Sequence, residues 1–236
     1  MPYTNTQLVN HLNNNLNGSE SIIYYIHDET SSGTNVGSGS GNAVHHLSEQ
    51  EQFIEDTFNS LDSIIDLDFT RSYSYSGSDI DIYALTDHSG WGDLTMGSCW
   101  SMGYGANSWF DLAWKITADW NADQNTIIHE IGHALGLGEP GLNPQYNSSD
   151  TVMSYNPNAL GTWSTSWSAL DLSALTSQWG MEDDVHTYDS RFFGGGGNDI
   201  FIAESGAGFG NDLMTGETGD DSLTGFRGAD QLFGGA

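Results

Sequence analysis

His129-Glu130-Ile131-Gly132-His133-Ala134-Leu135-Gly136-Leu137 is the stretch from which the rest of the chain can be read. It belongs to an apolar stripe formed by Ile127, Ile128, Ile131, Ala134 and Leu135, whose 3.6-residue spacing predicts an amphipathic helix with Asn121 as its N-cap. Residues four apart share one helical face, so His129 and His133 can present their imidazoles to one point. Glu130 stands about 100° round the axis, within reach of a water held there. Gly136, three residues beyond His133, suits the left-handed conformation that ends a helix and turns the chain back, which aims residue 139 at the same point. Two histidines and a glutamate at this spacing also occur as the polar edge of an ordinary helix, so the flanking sequence has to decide.

Downstream, Asp150-Thr151-Val152-Met153-Ser154-Tyr155-Asn156-Pro157 places a methionine in a turn. Met153 is either ordinary core or an apolar floor beneath the histidines, and Tyr155 is either a packed aromatic or a phenol serving the site. Together with the histidine stretch this resembles the metzincin clan of zinc peptidases, and His-Glu-Ile-Gly-His-Ala-Leu-Gly-Leu with Val-Met-Ser-Tyr is similar to its serralysin family. Asp171-Leu172-Ser173-Ala174-Leu175 through Trp179-Gly180 is similar to the closing helix of serralysin catalytic domains. The likeness covers most of residues 20 to 236 and is diffuse before residue 100.

The resemblance implies an α+β protein whose catalytic domain, residues 1–180, has a twisted mixed sheet and two long helices. It implies a secreted zinc endopeptidase cleaving extended protein or peptide substrates with metal-activated water. Glu130 would be the general base, Tyr155 would ligate zinc at rest and hydrogen-bond the oxyanion in the reaction, and Met153 would be the turn beneath the metal. A monomer is expected, with an inhibitor protein guarding the enzyme in the producing cell.

At one place the sequence departs from the family. The pattern calls for a third histidine followed by proline, and here Glu139 precedes Pro140. Glutamate is an accepted zinc ligand, so His129, His133 and Glu139 make a sound set. Its charge would temper the ion's Lewis acidity and move the activity optimum to more alkaline pH. The alternatives are that another histidine such as His88 or His186 supplies the third bond, or that Glu139 cripples the site.

Beyond residue 180 the composition turns to glycine and aspartate, and residues 181–236 form a second domain. Gly194-Gly195-Gly196-Gly197-Asn198-Asp199-Ile200-Phe201-Ile202 fits the nonapeptide of calcium-binding parallel β-rolls. Asp212, Asp221 and Asp230 follow nine residues apart, each two places after Gly210, Gly219 or Gly228 and two before Met214, Leu223 or Leu232. Gly195, Gly197 and Asp199, with those later pairs, are the candidate calcium ligands, through turn carbonyls and carboxylates, and the in-phase apolar residues should point into a short parallel β-roll. A flexible linker would not need that phase.

Upstream, Ile22-Ile23-Tyr24-Tyr25-Ile26 reads as a buried strand and Ser31 to Asn42 as a Ser/Gly/Asn loop. Leu47 to Ile65 reads as a helix with a Ser48–Glu51 capping box, and Asp79 to Leu85 as a strand with one buried face. Ser89 to Trp114 suggests further strands, and Trp167 to Trp179 a last helix ending at Gly180. Composition narrows the function classes. Four basic against 32 acidic residues give a formal charge of -28, which argues against nucleic acid, and no apolar run approaches a membrane span. Cys99 is alone, so no intramolecular disulfide forms and calcium becomes the candidate staple; secretion is expected without a cleavable N-terminal signal. The reading from another class is a calcium-dependent binding or adhesion module on a degenerate protease fold.

Overall fold

The computed structural model describes residues 20–62, 64–104, 107–181, 191–193, 198, 200–202, 213–216, 218–225 and 231–235. The chain divides into two compact units, Met1–Glu182 and Asp183–Ala236.

The first unit is built on a mixed seven-stranded sheet. Strands β1 (Ser21–Ile26), β4 (Asp68–Ser72), β5 (Ile80–His88) and β7 (Asn107–Lys115) run parallel, with β1 between β4 and β5 and β7 on the other flank of β5. Strand β6 (Gly97–Tyr104) pairs antiparallel with β7. The hairpin of β2 (Ser31–Val36) and β3 (Gly39–Val44) joins the second half of β5, where Ala43 faces Leu85 and Val44 faces Ala84. The stretch read as a loop is therefore sheet. Its side chains are too small and polar to announce a strand. The hairpin is held by distant partners: Asp111 accepts from the Gly37 amide at 2.7 Å, and His88 Nε2 lies 3.0 Å from the Val36 carbonyl.

Three helices appear among the described residues: α1 (Ser48–Asp62), α2 (Trp120–Ala134) and α3 (Ala169–Trp179). Helix α1 buries Gln50, Ile54, Thr57, Phe58 and Leu61, the i, i+4, i+7, i+8, i+11 stripe of a helix lying on a core. Its start is not a Ser48–Glu51 box. The helix begins at Ser48, so Leu47 takes the cap position and Gln50, three residues on, accepts its amide at 2.8 Å, while the Glu51 carboxylate is engaged by Arg71 at 2.7 Å. The α2 cap also differs from the reading. Asp119 accepts the amides of Asn121 and Ala122, while the Asn121 side chain exchanges hydrogen bonds with the Trp163 backbone at 2.9 Å each way. Helix α3 begins with a capping box between Ser168 and Asp171 and ends at Gly180, whose φ is 98°.

One face of the sheet contributes Ile22, Tyr24, Ile26, Ile80, Ile82, Phe110, Leu112 and Trp114 to a core shared with all three helices. Each such fully buried side chain contributes about 1.5–3 kcal/mol. The other face is covered too: Val36, Ala43, Tyr83, Leu85 and Ala113 form a smaller core with Trp91 and Trp100. Residues 80–85 of β5 are thus buried on both faces, not one, because the hairpin and the tryptophans cover the second.

In the second unit, β8 (Arg191–Phe193), β10 (Leu213–Thr215) and β12 (Gln231–Phe233) form one parallel sheet, and β9 (Ile200–Ile202) and β11 (Ser222–Thr224) form another. Successive strands alternate between two sheets, as a chain winding into a β-roll requires. Leu213 pairs with Gln231, two nonapeptides later, whereas Arg191 pairs with Leu213 and Ile200 with Ser222, which places a four-residue insertion between β9 and β10. Met214 is fully buried, Leu223 half-buried and Leu232 exposed, so the inward-pointing apolar residue holds for the first of these three and weakens toward the last.

Candidate metal centre

Helix α2 carries the centre. Its C-terminus closes with two turn bonds: the Gly136 amide donates to His133 O at 3.0 Å and the Leu137 amide to Gly132 O at 2.8 Å. Gly136 takes φ 94°, which a side chain would resist. That reversal carries the chain back to Glu139. One Glu139 oxygen, Oε2, lies 3.5 Å from His129 Nε2 and 3.6 Å from His133 Nε2. His129 is buried and His133 half-buried, and the two rings stand nearly perpendicular, with centroids 4.7 Å apart.

The other nitrogen of each ring is held by backbone. His129 Nδ1 is 3.0 Å from the Val152 carbonyl and His133 Nδ1 is 2.9 Å from the Leu137 carbonyl. A carbonyl can only accept, so each Nδ1 carries a proton; in the neutral ring Nε2 then keeps the lone pair that a metal-ligating histidine offers, and in the protonated ring Nε2 donates to Glu139. His129, His133 and Glu139 could therefore hold a metal ion.

Electrostatics follow from this closeness. The hydrogen bonds from His129 and His133 push the Glu139 pKa far below the usual carboxylate range, and Tyr155 adds a third. Burial works against a charged His133, but Glu139, Glu130 and the Leu137 carbonyl outweigh it and raise its pKa. Glu130 is 5% exposed, and burial raises its pKa against the lowering effect of the two histidines. Its Oε2 has no hydrogen-bond partner among the described residues. An orphaned carboxylate oxygen beside three convergent ligand atoms is poised to accept a proton.

Tyr155 stacks on His129 with centroids 5.5 Å apart and bonds Glu139 through its hydroxyl; burial, then that bond, raises its pKa well above that of a free phenol. Met153 lies beneath α2. A Cβ added to Gly132 would stand 2.7 Å from Met153 Sδ, so the small residue inside the histidine stretch is what lets the sulfur approach.

This floor is anchored by a carboxylate whose role reaches beyond its own helix. Asp171 is fully buried and accepts from Thr151 Oγ1 at 2.5 Å, from the Val152 amide at 3.1 Å and from the Ser168 amide at 2.9 Å. Trp179 Nε1 donates to Leu135 O at 2.8 Å, pinning the other end of α3 to the end of α2. In the sequence Asp171 shows as the first residue of the closing-helix stretch and as an Asp three residues after a Ser, and neither signal points to the 151–152 turn.

His88 is elsewhere: its Nε2 serves the hairpin and its Nδ1 takes the Gly90 amide at 3.1 Å. His186, and Gly195, Gly197, Asp199, Gly210, Asp212, Gly228 and Asp230 of the candidate calcium ligands, lie outside the described residues. Of the described ones, Gly219 takes φ 138° and Asp221 packs closely on Gly216, while the Asp220 amide reaches Asn198 Oδ1 of the preceding coil at 3.0 Å. A second group that sequence did not bring together is Asp28, His45 and Glu51, whose ligand atoms lie within 4.8 Å of one another at the surface. There His45 pairs with Asp28, and Glu51 with Arg71.

Among known families, the model of the RTX calcium-binding nonapeptide repeat, in four copies, matches residues 187–209 and 207–236. The C-terminal segment thus carries calcium-binding RTX repeats, in keeping with its parallel coils. No curated protein matches the chain. No helix among the described residues is long and apolar enough to cross a membrane.

Proposed function

We propose that this chain is a zinc-dependent endopeptidase with a calcium-binding C-terminal segment. The observation that carries the reading is the convergence of His129 Nε2, His133 Nε2 and Glu139 Oε2, at 3.5 and 3.6 Å, with both Nδ1 atoms tied to backbone carbonyls. Ligands on a tetrahedral zinc ion stand about 3.4 Å apart, which both distances to Glu139 match closely. When bound, zinc would supply a Lewis acid that polarises water and the scissile carbonyl.

The chain's own groups perform the rest. Glu130 takes a proton from the attacking water and returns it to the leaving amine; burial raises its pKa and makes it a stronger base than an exposed carboxylate. Tyr155 stays protonated through the neutral range because its pKa is raised, and so it remains a donor for the developing oxyanion. A protein-ligand set of three with a base beside it suits a catalytic centre, whereas structural zinc sites are closed by four ligands. Strand β6 pairs only with β7 among the described residues, which leaves an edge beside α2 along which an extended substrate could align. RTX repeats are typical of secreted proteins, which supports secretion and protein substrates outside the cell.

Elemental analysis paired with hydrolysis of a denatured protein in calcium tests the proposal. One zinc per chain in the wild type, lost in Glu139→Ala, and cleavage abolished in Glu130→Ala are the expected results. Folded wild type with neither zinc nor cleavage would instead favour a calcium-dependent binding module; the RTX match by itself supports calcium binding.

A further inference from the structure

The first residue of β6, Gly97, faces α2 where no side chain would fit. A Cβ at this position would stand 2.5 Å from Glu130 Oε1, 2.7 Å from Thr126 Cγ2 and 2.9 Å from Glu130 Cγ. Contacts under 3 Å force something to move, and three features narrow what that is. Gly97 is held in the sheet opposite Trp114, so the strand cannot retreat without breaking its ladder. The Thr126 hydroxyl is bonded to Ala122 O at 3.0 Å, which fixes where its methyl points. Glu130 Oε2, by contrast, has no hydrogen bond to hold the carboxylate in place. Its orientation rests on packing, and the Gly97 backbone is one wall of that packing. Gly97 also has no positive φ, so the backbone does not require glycine there.

We propose that Gly97 is a positioning residue for the reaction: the absence of a side chain on the edge strand keeps the Glu130 carboxylate beside His129, His133 and Glu139. A methyl group at position 97 swings the carboxylate away while leaving the metal ligands where they are. The inference rests on the peptidase reading, since a base needs placing only if it acts.

The test compares wild type, Gly97→Ala and Gly97→Ala/Thr126→Ser for zinc content, for thermal unfolding of the metal-free chain and for kcat and KM on a denatured protein. The double variant removes the Thr126 contact, so it keeps the comparison available if Gly97→Ala folds poorly. We expect full zinc content in both variants, KM within about twofold and kcat reduced roughly 10- to 100-fold, the loss that misplacing a catalytic group by about 1 Å brings. Thr126→Ser should recover the melting temperature but not kcat. Wild-type kcat in zinc-loaded Gly97→Ala, or recovery of kcat together with stability in the double variant, overturns the positioning role while leaving the peptidase reading intact. A zinc-loaded wild type that cleaves nothing overturns both.

Discussion

The Asp171 carboxylate receives the amide of Val152 at 3.1 Å, and the carbonyl of that same Val152 faces His129 Nδ1 at 3.0 Å. Orientation of a buried ring on α2 thus runs through one residue of the 151–152 turn to the first turn of α3. Asp171→Asn should lower stability by about 2–4 kcal/mol, because the Thr151, Val152 and Ser168 donors all converge on this buried carboxylate. Metal affinity should fall roughly tenfold as the support behind His129 loosens. Urea unfolding and competitive metal titration measure the two effects; wild-type affinity in a clearly destabilised variant would show that the ring is held without Asp171.

Gly132→Ala sets propensity against packing. Alanine in a helix interior gains about 1 kcal/mol over glycine. Here its methyl would stand 2.7 Å from Met153 Sδ, and overpacking a core typically costs about 1–3 kcal/mol. The expected outcome is a lower denaturation midpoint, and a raised one would mean that the methionine moves aside freely.

How far the sequence could be read depends on whether a feature is local. The α2 stripe and the turn at Gly136 are local, and both were legible. The hairpin of residues 31–44 was not, because its register is set by Asp111 and His88, which lie far away in sequence. Asn121 looked like a cap because both Asn121 and Asp119 precede the stripe, and only the position of Trp163 separates their roles. The histidines could be nominated from spacing and residue 139 from the turn at Gly136, whereas Tyr155 rested on the resemblance of the Met153 turn to a known family. Gly97 could not, since its partners Thr126 and Glu130 come from another element, and neither could Asp171, since its role beyond the cap depends on the 151–152 turn.

Asp81 makes stability depend on pH. It is 6% exposed, and burial pushes its pKa from 3.8 up to about 7, with a smaller push from Asp111 and Asp79 and an opposing bond from Ser78. The folded state therefore holds a proton that the unfolded chain has released between these two values, so stability falls as pH rises across that window and levels off above it. The slope is at most about 1.4 kcal/mol per pH unit. Asp81→Asn should remove this component, seen as a stability gain over wild type that grows from pH 4 to 7 in urea titrations. A difference independent of pH would place the folded pKa near that of an ordinary carboxylate.

Calcium removal should act on the second unit first. Carboxylates recur there at nonapeptide spacing, Asp221 among them, and an ion bound only to the folded coil stabilises it by about 2.7 kcal/mol at a hundredfold excess over Kd. Chelation should lower the melting temperature of this unit and increase proteolysis after residue 182, and restoring calcium should reverse both. Equal melting with and without calcium would contradict a stabilising role for the ion.

Glu139 distinguishes this centre from a three-histidine one, and the consequence is a matter of charge. On the proposed peptidase reading, a carboxylate ligand would lower the net positive charge felt by the water that Glu130 would deprotonate, leaving that water less acidic and moving activity to higher pH. Glu139→His removes the negative charge and also the acceptor of the Tyr155 hydroxyl bond. Zinc should still bind, since three histidines are an accepted ligand set, and the acid limb of kcat/KM should move down by roughly one pH unit. The pH profiles of wild type and variant on the same denatured substrate decide it. A limb that stays fixed, or moves upward, would mean that the ligand charge at position 139 does not set the acidity of the attacking water.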